Sequence, residues 1–375
     1  MSQYRFIKKL KTAFFLFFLF GSKLSFGQPM TISIDMPTFM DITRGASVYR
    51  VYIAGTIDKD AKEKLEHILS EIPSKNIDIY FNSPGGNVQA GIKLGKFIRE
   101  QGFSTFVGRP GELETFTDNK GQKLPFHRKI LPGTCFSACV FAFTGGVYRF
   151  SSAESKIGVH RFHATSGATK HDLDIAQIVS AAIASHFSEM GVDHAVLTLA
   201  SLTSKDEIYV LSKTEERTFN VVNDGKTPAS WTIETAAGQF YLRGAQVTEL
   251  FDAKALFLCG WRRNQPVVAL QSLQQLGKRL GHYEKFSWNM HHSIMIDRKA
   301  HFLGKPESVS SNGGYLITVF ELDRKTLTAI SNAKKSIGHA IQADESAPTY
   351  MGYNIDVTSA DMEKIRNFLN SCPTR

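Results

Sequence analysis

The chain has 375 residues, of which 42% are hydrophobic and 21% are charged. A chain of this length can bury a large core, and at about 150 residues per domain we expect about two domains. The formal net charge is +9 at pH 7, but the sequence has no basic run of the kind that marks a nucleic-acid-binding protein. The composition therefore indicates a globular protein without a nucleic-acid partner.

The first 27 residues have the pattern of a secretory signal peptide. Basic residues precede the apolar run Ala13 to Phe20, and Ser25-Phe26-Gly27 fits a small-x-small cleavage site. Eight apolar residues span only ~12 Å as a helix, against a hydrocarbon core of ~30 Å. We expect export to the periplasm, with a retained N-terminal anchor as the alternative. Residues 1–27 hold five basic residues and no acid, so the mature chain would carry +9 less 5, or +4.

Four cysteines agree with an oxidising compartment, where disulfides persist. We favour a bond between Cys259 and Cys372, because both lie in the C-terminal part of the chain. Cys135 and Cys139 then pair with each other or remain free thiols. Four buried thiols are the alternative.

Strand and helix patterns alternate in the first part of the chain. Val48 to Ile57 has strand spacing, Asp58 to Ile72 has helical spacing, and Ile77 to Phe81 is a buried-strand run. A helix over Gly91 to Gln101 and a short strand over Ser104 to Val107 follow. This alternation predicts a largely parallel sheet with crossover helices.

Two segments interrupt that pattern. The strand at 77–81 breaks into Asn-Ser-Pro-Gly-Gly at 82–86, a corner whose backbone amides could bind a ligand or hold an oxyanion. The polar, Gly-rich stretch from Gly108 to Pro132 has a turn signal at 118–121. We expect 109–132 to be a surface insertion that either covers the site as a lid or is a loop without a role.

The next segments carry candidate chemistry. Gly133 to Gly146 has the pattern of an apolar helix with Ser137 near its start, and Ile157 to His160 has the pattern of a strand that ends in a histidine. Functional groups collect at the carboxyl ends of strands in open α/β sheets. A long helix is predicted over Asp172 to Met190, from Ile175, Ile178 and further apolar residues at helical spacing.

These motifs together resemble a known family. N-S-P-G-G at 82–86, G-x-x-x-S at 133–137 and S-K-I-G-V-H at 155–160 are similar to the Clp protease proteolytic subunit and its signal-peptide-peptidase relatives, within the ClpP/crotonase superfamily. The resemblance covers roughly Tyr49 to Asn223. C-x-S-A-C followed by G-x-x-R, ending at Arg149, resembles an exported subgroup of Clp-like proteins.

The resemblance implies a serine-peptidase mechanism. Ser137 would be the nucleophile and His160 its general base, 23 residues later as in the family. The backbone amides of Gly86 and Ala138 would form the oxyanion hole, worth ~3 to 4 kcal/mol per donor. Glycine in the corner would then be needed so that the substrate carbonyl can approach the backbone.

The third member of the triad is less clear in the sequence. The family places an acid before a short aromatic-apolar-Ser segment, which is similar here to 206–212. Alignment on Ser212 puts Ile208 at the place of the acid, so Asp206 would serve only if the loop shifted by two residues. His163 is a competing base. No lysine has a motif context for the base role that signal-peptide peptidase gives to lysine.

Each candidate also has a plain structural interpretation. Ser137 could be a helix cap, and His160 could be a strand-end histidine bonded to a backbone carbonyl. Cys135 or Cys139 could be proposed as a thiol nucleophile, although the family position falls on the serine. His291 and His292 are adjacent strand residues that should point to opposite faces, which predicts no metal site.

From about Gly225 the pattern changes to short alternating segments that predict a small β-rich module such as a sandwich. A helix is expected over Asp323 to Ile341, and Thr358 to Asp361 resembles a capping box before a last helix. The predicted strands are 239–243, 255–259, 267–270, 287–296, 314–320 and 351–357.

We therefore predict an α/β chain: a ClpP/crotonase-like β-α-β spiral domain over 28–224, and a smaller β-rich (α+β) C-terminal domain over 225–375. The predicted function is an exported serine peptidase that hydrolyses peptides or proteins, with Ser137, His160 and Asp206 as its catalytic residues. We expect no cofactor, no metal and no ATPase partner, and a homo-oligomer by analogy. The alternative is a catalytically silent scaffold that binds a protein of the cell envelope.

Overall fold

The computed structural model describes residues 28–43, 47–161, 170–204, 206–249, 252–262, 265–276, 280–343 and 351–372. The predicted signal peptide, residues 1–27, and the competing base His163 lie outside the described residues. Among the described residues we find no helix with the length and hydrophobicity that a membrane span requires.

The N-terminal part of the chain alternates strands and helices, as the sequence predicts. Its elements are β1 (Thr31–Asp35), α1 (Phe39–Thr43), β2 (Tyr49–Ala54), α2 (Ala61–Ser70), β3 (Ile77–Asn82), α3 (Val88–Gln101), β4 (Ser104–Val107), β5 (Arg109–Thr117), β6 (Lys123–Leu131), β7 (Thr134–Phe136), α4 (Ala138–Thr144), β8 (Arg149–Ser151), β9 (Lys156–Val159), α5 (Lys170–Met190), α6 (Ala195–Leu202), β10 (Tyr209–Val210) and α7 (Lys213–Thr218).

Two sheets organise these elements. A five-stranded sheet has the order β1-β2-β3-β4-β8, and β2, β3, β4 and β8 run parallel. A three-stranded sheet has the order β10-β9-β7, in which β7 and β9 are parallel. Helices cover the sheets, and one hydrophobic core is formed by residues between 30 and 222. The crossover helices follow from the parallel strands, which cannot be joined by tight turns.

The structure differs from the sequence prediction at Gly133 to Gly146. The first residues of this segment form the strand β7 rather than the start of a helix, and α4 begins only after Ser137. Three residues are too few for a periodic pattern, and the pairing of β7 with β9 involves a segment about 20 residues away in the chain. Local spacing therefore could not reveal this strand.

The insertion at 109–132 is an ordered β-hairpin formed by β5 and β6. Phe39 of α1 packs against Phe116 and Phe126 of the hairpin. The guanidinium of Arg128 donates two hydrogen bonds to the carboxylate of Asp35, at 2.6 and 2.8 Å. The hairpin is thus fastened to the N-terminal segment of the chain, and these contacts do not involve the candidate catalytic residues.

The C-terminal part forms a second core from residues between 231 and 372. One antiparallel sheet has the order β11-β12-β13-β14-β18-β17 and another the order β16-β15-β19-β20. The elements are β11 (Ser230–Ala236), β12 (Gln239–Val247), β13 (Asp252–Arg262), β14 (Gln265–Gln275), α8 (Leu280–Ser287), β15 (His291–Ile296), β16 (Lys299–Phe302), β17 (Ser308–Asn312), β18 (Tyr315–Leu322), α9 (Arg324–Ser331), β19 (Ser336–Gln342), β20 (Met351–Asp356) and α10 (Ser359–Ser371).

Two expectations for this part were wrong in detail. The helix predicted over 323–341 ends at Ser331, and 336–342 forms the strand β19, which is buried along most of its length. The strand predicted from 287 begins at His291, because the residues before it form α8 and a turn. A fully buried strand lacks the alternation that distinguishes strand from helix.

Other expectations for the C-terminal part were confirmed. Thr358 and Asp361 form a capping box at the start of α10. Cys259 and Cys372 form a disulfide that ties β13 to the end of α10. The rings of His291 and His292 point to opposite faces of β15: the first stacks on Phe302 and the second is buried.

Candidate active site

The corner at 82–87 holds β3, β7 and α3 together. The Asn82 side chain accepts a hydrogen bond from the Thr134 backbone amide at 3.0 Å. The Ser83 amide donates to the Thr134 carbonyl at 2.7 Å, and the Ser83 carbonyl accepts from the Phe136 amide at 3.1 Å. Asn87 then caps the N-terminus of α3. The corner therefore fixes the strand that leads into Ser137.

The two glycines of the corner are required by the backbone itself. Gly85 has φ +106° and Gly86 has φ +145°, a region that other residues rarely adopt. A Cβ on Gly86 would lie 2.2 Å from the carbonyl oxygen of Ile57, and a Cβ on Gly85 would lie 2.7 Å from the Cβ of Ser137. Close packing of the chain against itself already requires glycine at both positions, in addition to the predicted need for substrate to approach the backbone.

Ser137 lies between β7 and α4 in a strained backbone conformation, with φ 55° and ψ −124°. A serine at positive φ between a strand and a helix is the arrangement that exposes a nucleophile on a sharp turn. Its amide donates to the carbonyl of Gly158 at 2.9 Å. The half-buried side chain makes no capping hydrogen bond to α4, so the interpretation of Ser137 as an ordinary helix cap fails.

The hydrogen bond from Ser137 to Gly158 places the serine beside the end of β9, where His160 follows. The Nδ1 atom of His160 lies 2.9 Å from the carbonyl oxygen of Arg161. A carbonyl oxygen can only accept, so Nδ1 carries the proton and Nε2 is left as a proton acceptor. Within the described residues, no hydrogen bond joins the Ser137 hydroxyl to this ring, and binding of substrate would have to close that gap.

The position next to His160 is occupied by Ile208. In the antiparallel pairing of β10 with β9, Tyr209 lies opposite Val159, and continuing that register puts Ile208 opposite His160. A Cβ on Gly158 would lie 2.5 Å from the Cγ2 atom of Ile208, so this side chain covers the same face of β9. Asp206 falls two residues beyond, opposite a segment outside the described residues, and its role as the acid stays a prediction.

Two backbone amides are available near Ser137. Among the described residues, neither the Gly86 amide nor the Ala138 amide donates a hydrogen bond. Gly86 is exposed, and a Cβ on Gly85 would lie 3.2 Å from the Ala138 nitrogen, so the corner and the start of α4 are in contact. The two amides can stabilise an oxyanion only if both donate a hydrogen bond to the same oxygen atom. Their joint role as an oxyanion hole stays a prediction.

The helices α3 and α4 cross at very short distance, which brings their first turns together. Gly91 and Gly95, one turn apart on α3, face the backbone of α4. A Cβ on Gly91 would lie 2.4 Å from the carbonyl oxygen of Ala138, and a Cβ on Gly95 would lie 2.2 Å from that of Phe141. This contact was not predicted from the sequence, although glycines at i and i+4 in a helix pattern were a visible signal.

An apolar pocket opens beside the two candidate catalytic residues. It is lined by Ser137 and His160 and by apolar side chains of α4, α5 and α6. The apolar lining residues include Phe141, Ile183, Phe187, Leu197 and Ala200. Ile183 and Phe187 are almost fully buried, so the pocket reaches the core. Its lining is apolar, and the space within it is only about 30 Å³, which fits a small apolar group.

A wider cleft, of about 660 Å³, lies between the two parts of the chain and away from Ser137. Two of its cations are paired with its own acids: Arg217 with Asp224 at 2.6 Å, and Lys226 with Asp356 at 3.2 Å. Among its described lining residues are threonine hydroxyls but no histidine that could act as their general base. We therefore place the candidate active site at Ser137 and His160.

No protein-family model and no curated protein matches the sequence. Solved structures do match part of it. A mutant of a membrane-bound stomatin-specific protease is 17% identical over 47% of this chain and 76% of that chain, with a TM-score of 0.33. ClpP1 from Listeria monocytogenes is 19% identical over 46% of this chain and 88% of that chain, with a TM-score of 0.32.

Proposed function

We propose that the protein is a serine peptidase that cleaves peptides or proteins next to an apolar side chain. The observation that carries this proposal is the strained backbone of Ser137 at the junction of β7 and α4, beside His160 and an apolar pocket. Strain of this kind persists where the surrounding structure fixes it, and it is concentrated at functional sites.

The reaction is acyl transfer. The Oγ atom of Ser137 attacks the scissile carbonyl, and its proton moves to Nε2 of His160, which then gives it to the leaving amine. The tetrahedral oxyanion receives hydrogen bonds from the amides of Gly86 and Ala138. Water then hydrolyses the acyl-enzyme by the same steps in reverse order. The carbonyl of Arg161 keeps the proton on Nδ1 throughout, and Asp206 remains the proposed acid.

The two disulfides suit an oxidising compartment, so we place the reaction in the periplasm, after removal of the proposed signal peptide. No nucleotide is expected there, and no ATPase partner is part of the proposal. A homo-oligomer that shelters the site would fit an unregulated peptidase. The proposed domain boundary is near 224–225, between the two hydrophobic cores.

A second candidate is a silent scaffold that binds an envelope protein. It is favoured by the partner of His160, which at Nδ1 is a neutral backbone carbonyl rather than a carboxylate. A neutral acceptor fixes the tautomer but stabilises the imidazolium less than a negative charge would.

Labelling with a fluorophosphonate probe tests the proposal. Wild-type protein should react at neutral pH, and Ser137→Ala should not react. The rate of labelling of His160→Ala should be lower than that of wild type by a factor of about 100 or more. Ser201→Ala is the matched control, because Ser201 lines the same pocket but is not at the strained turn. Its labelling should equal that of wild type.

Hydrolysis of peptide libraries by the unlabelled wild-type protein then tests the substrate class. We expect cleavage beside apolar side chains, and loss of cleavage in Ser137→Ala. A folded wild-type protein that neither labels nor cleaves would favour the scaffold. Labelling that survives Ser137→Ala would place the nucleophile elsewhere.

A further inference from the structure

We infer that the disulfide between Cys135 and Cys139 is a positioning element for the Ser137 nucleophile. This inference rests on the proposed function, and it assigns to the bond a role in reactivity rather than in overall stability. Ser137 is the central residue of the five that the bond encloses.

The bond joins the two elements on either side of the nucleophile. Cys135 is the middle residue of β7 and Cys139 is the second residue of α4. Their Cα atoms are 5.3 Å apart, and both side chains are fully buried. Any rotation of α4 relative to β7 would have to pass through Ser137, because it is the only residue between the two elements. Ser137 is thus the hinge between β7 and α4, and the disulfide restricts rotation about it.

Hydrogen bonds hold one side of the hinge well. Cys135 pairs with Ile157 in the sheet and forms a bridge to Ser83 of the corner. On the other side, α4 has only seven residues, and an isolated helix of that length is not stable. Packing against α3 holds α4 in the core, and the bond through Cys139 ties its first turn, which carries the Ala138 amide, to the sheet. Loss of the bond would let the positive-φ conformation of Ser137 relax.

The second disulfide of the chain is a matched comparison. Cys259 and Cys372 are separated by 113 residues and belong to the other hydrophobic core. A bond that closes a long loop restricts the unfolded chain much more than a bond that closes a loop of five residues. The two bonds should therefore have opposite profiles, one important for reactivity and the other for stability.

The test compares Cys135→Ala/Cys139→Ala with Cys259→Ala/Cys372→Ala in the full mature chain. For each protein, the rate of Ser137 labelling is measured against fluorophosphonate concentration, which separates the maximal rate from the concentration at half-maximal rate. We expect the first variant to lose about 10- to 100-fold in maximal rate with little change in half-saturation, as a misplaced reacting group does. The second variant should keep its rate and show the larger fall in Tm.

A reduction experiment breaks the Cys135–Cys139 bond without replacing either cysteine. In Cys259→Ala/Cys372→Ala the bond at Ser137 is the only disulfide, so dithiothreitol reduces it alone; the bond takes up two electrons and two protons, and the reagent becomes a cyclic disulfide. Labelling should slow on reduction and recover on reoxidation. This measurement also decides the matter if Cys135→Ala/Cys139→Ala does not fold.

Three results would overturn the inference. Equal maximal rates with and without the bond would show that it does not position Ser137. A changed half-saturation with an unchanged maximal rate would assign the bond to the pocket instead. Wild-type protein that does not label at all would overturn the proposed function, and with it the inference, whereas the first two results leave the proposed function intact.

Discussion

At the scale of single residues, the main question is what orients His160. The acid of a catalytic triad has two roles: it fixes the tautomer of the histidine, and it stabilises the positive charge that forms on the ring when it takes the serine proton. In this protein the carbonyl of Arg161 performs the first role, because it fixes the proton on Nδ1. A negative charge within about 4 Å would stabilise that charge. The register of β10 with β9 puts the uncharged side chain of Ile208 opposite His160.

Replacement of Ile208 by aspartate should therefore increase reactivity. We expect Ile208→Asp to raise the rate of fluorophosphonate labelling about tenfold, because the carboxylate would lie opposite His160 and favour the imidazolium. The gain should be smaller than the effect of a triad acid elsewhere, since the tautomer is already correct. The rate is measured on purified protein at neutral pH.

Ile208→Asn is the matched control, because it has the same size as the aspartate and no charge. It should leave the rate within about twofold of wild type. Asp206→Asn distinguishes the remaining possibility: a large loss of labelling would identify Asp206 as the acid, and Ile208→Asp should then give no gain. Equal rates in Ile208→Asp and Ile208→Asn would contradict the register argument.

At the scale of the secondary-structure elements, α4 is held at both ends. Its N-terminal end is bonded to β7 through the disulfide, and the carbonyls at its C-terminal end are satisfied by two arginines. Arg99 donates to the carbonyls of Thr144, Gly145 and Gly146. Cations suit this end of a helix, where unpaired carbonyls concentrate partial negative charge.

Arg149 is the more demanding of the two arginines. It is only 1% exposed, and among the described residues its guanidinium donates to backbone carbonyls, including those of Asn220 and Val221 at 2.7 and 2.9 Å. Burial lowers the pKa of Arg149 to about 9, so the side chain remains charged at neutral pH. The planar guanidinium donates to backbone carbonyls at the ends of α4 and α5 and in the 220–221 turn at the same time, which an ammonium group cannot do.

We expect Arg149→Lys to lower the free energy of unfolding by about 3 kcal/mol, because several buried carbonyls lose their donor. Urea unfolding at pH 7 measures the change. Arg217→Lys is the matched control, since Arg217 is half exposed and pairs with Asp224 at the surface; it should cost less than about 1 kcal/mol. Similar losses in the two variants would mean that the carbonyl network adds little.

The same elements show how much of the fold could be predicted from the sequence. The parallel sheet, the corner at 82–86 and the helix after it follow from local spacing and turn residues, and the structure has them. The strand β7 and the buried strand β19 could not be found this way, since each is defined by pairing with distant segments. Ser137 and His160 could be proposed, but the contact of Arg161 with His160 depends on the path of the chain after β9.

At the scale of the whole molecule, buried histidines couple stability to pH. Burial lowers the pKa of His186 to about 4, and it also lowers the pKa values of His292 and His339 in the C-terminal core. The Nε2 atom of His186 lies 2.9 Å from the carbonyl oxygen of Phe141, and its buried Nδ1 atom has no hydrogen-bond partner among the described residues. A second proton on this ring would be buried without an acceptor.

The sign of the effect follows from proton binding. Above about pH 6.5, His186 is neutral in both the folded and the unfolded chain, and folding is not penalised. Between about pH 6.5 and 4 the unfolded chain takes up the proton and the folded chain does not, so the free energy of unfolding decreases as the pH falls. The full shift corresponds to about 3 kcal/mol, and no further loss from this group is expected below about pH 4.

His186→Gln should therefore flatten the pH dependence. The glutamine amide can still donate to the carbonyl of Phe141, but it cannot bind a proton. Urea unfolding at pH 7.5, 6 and 5 should show a smaller loss of stability on acidification than in wild type, with the remaining loss due to the two buried histidines of the C-terminal core. His67→Gln, at an exposed position of α2, should leave the profile unchanged. If both variants follow the wild-type profile, His186 takes up its proton at the same pH in the folded and the unfolded chain, and it does not couple folding to pH.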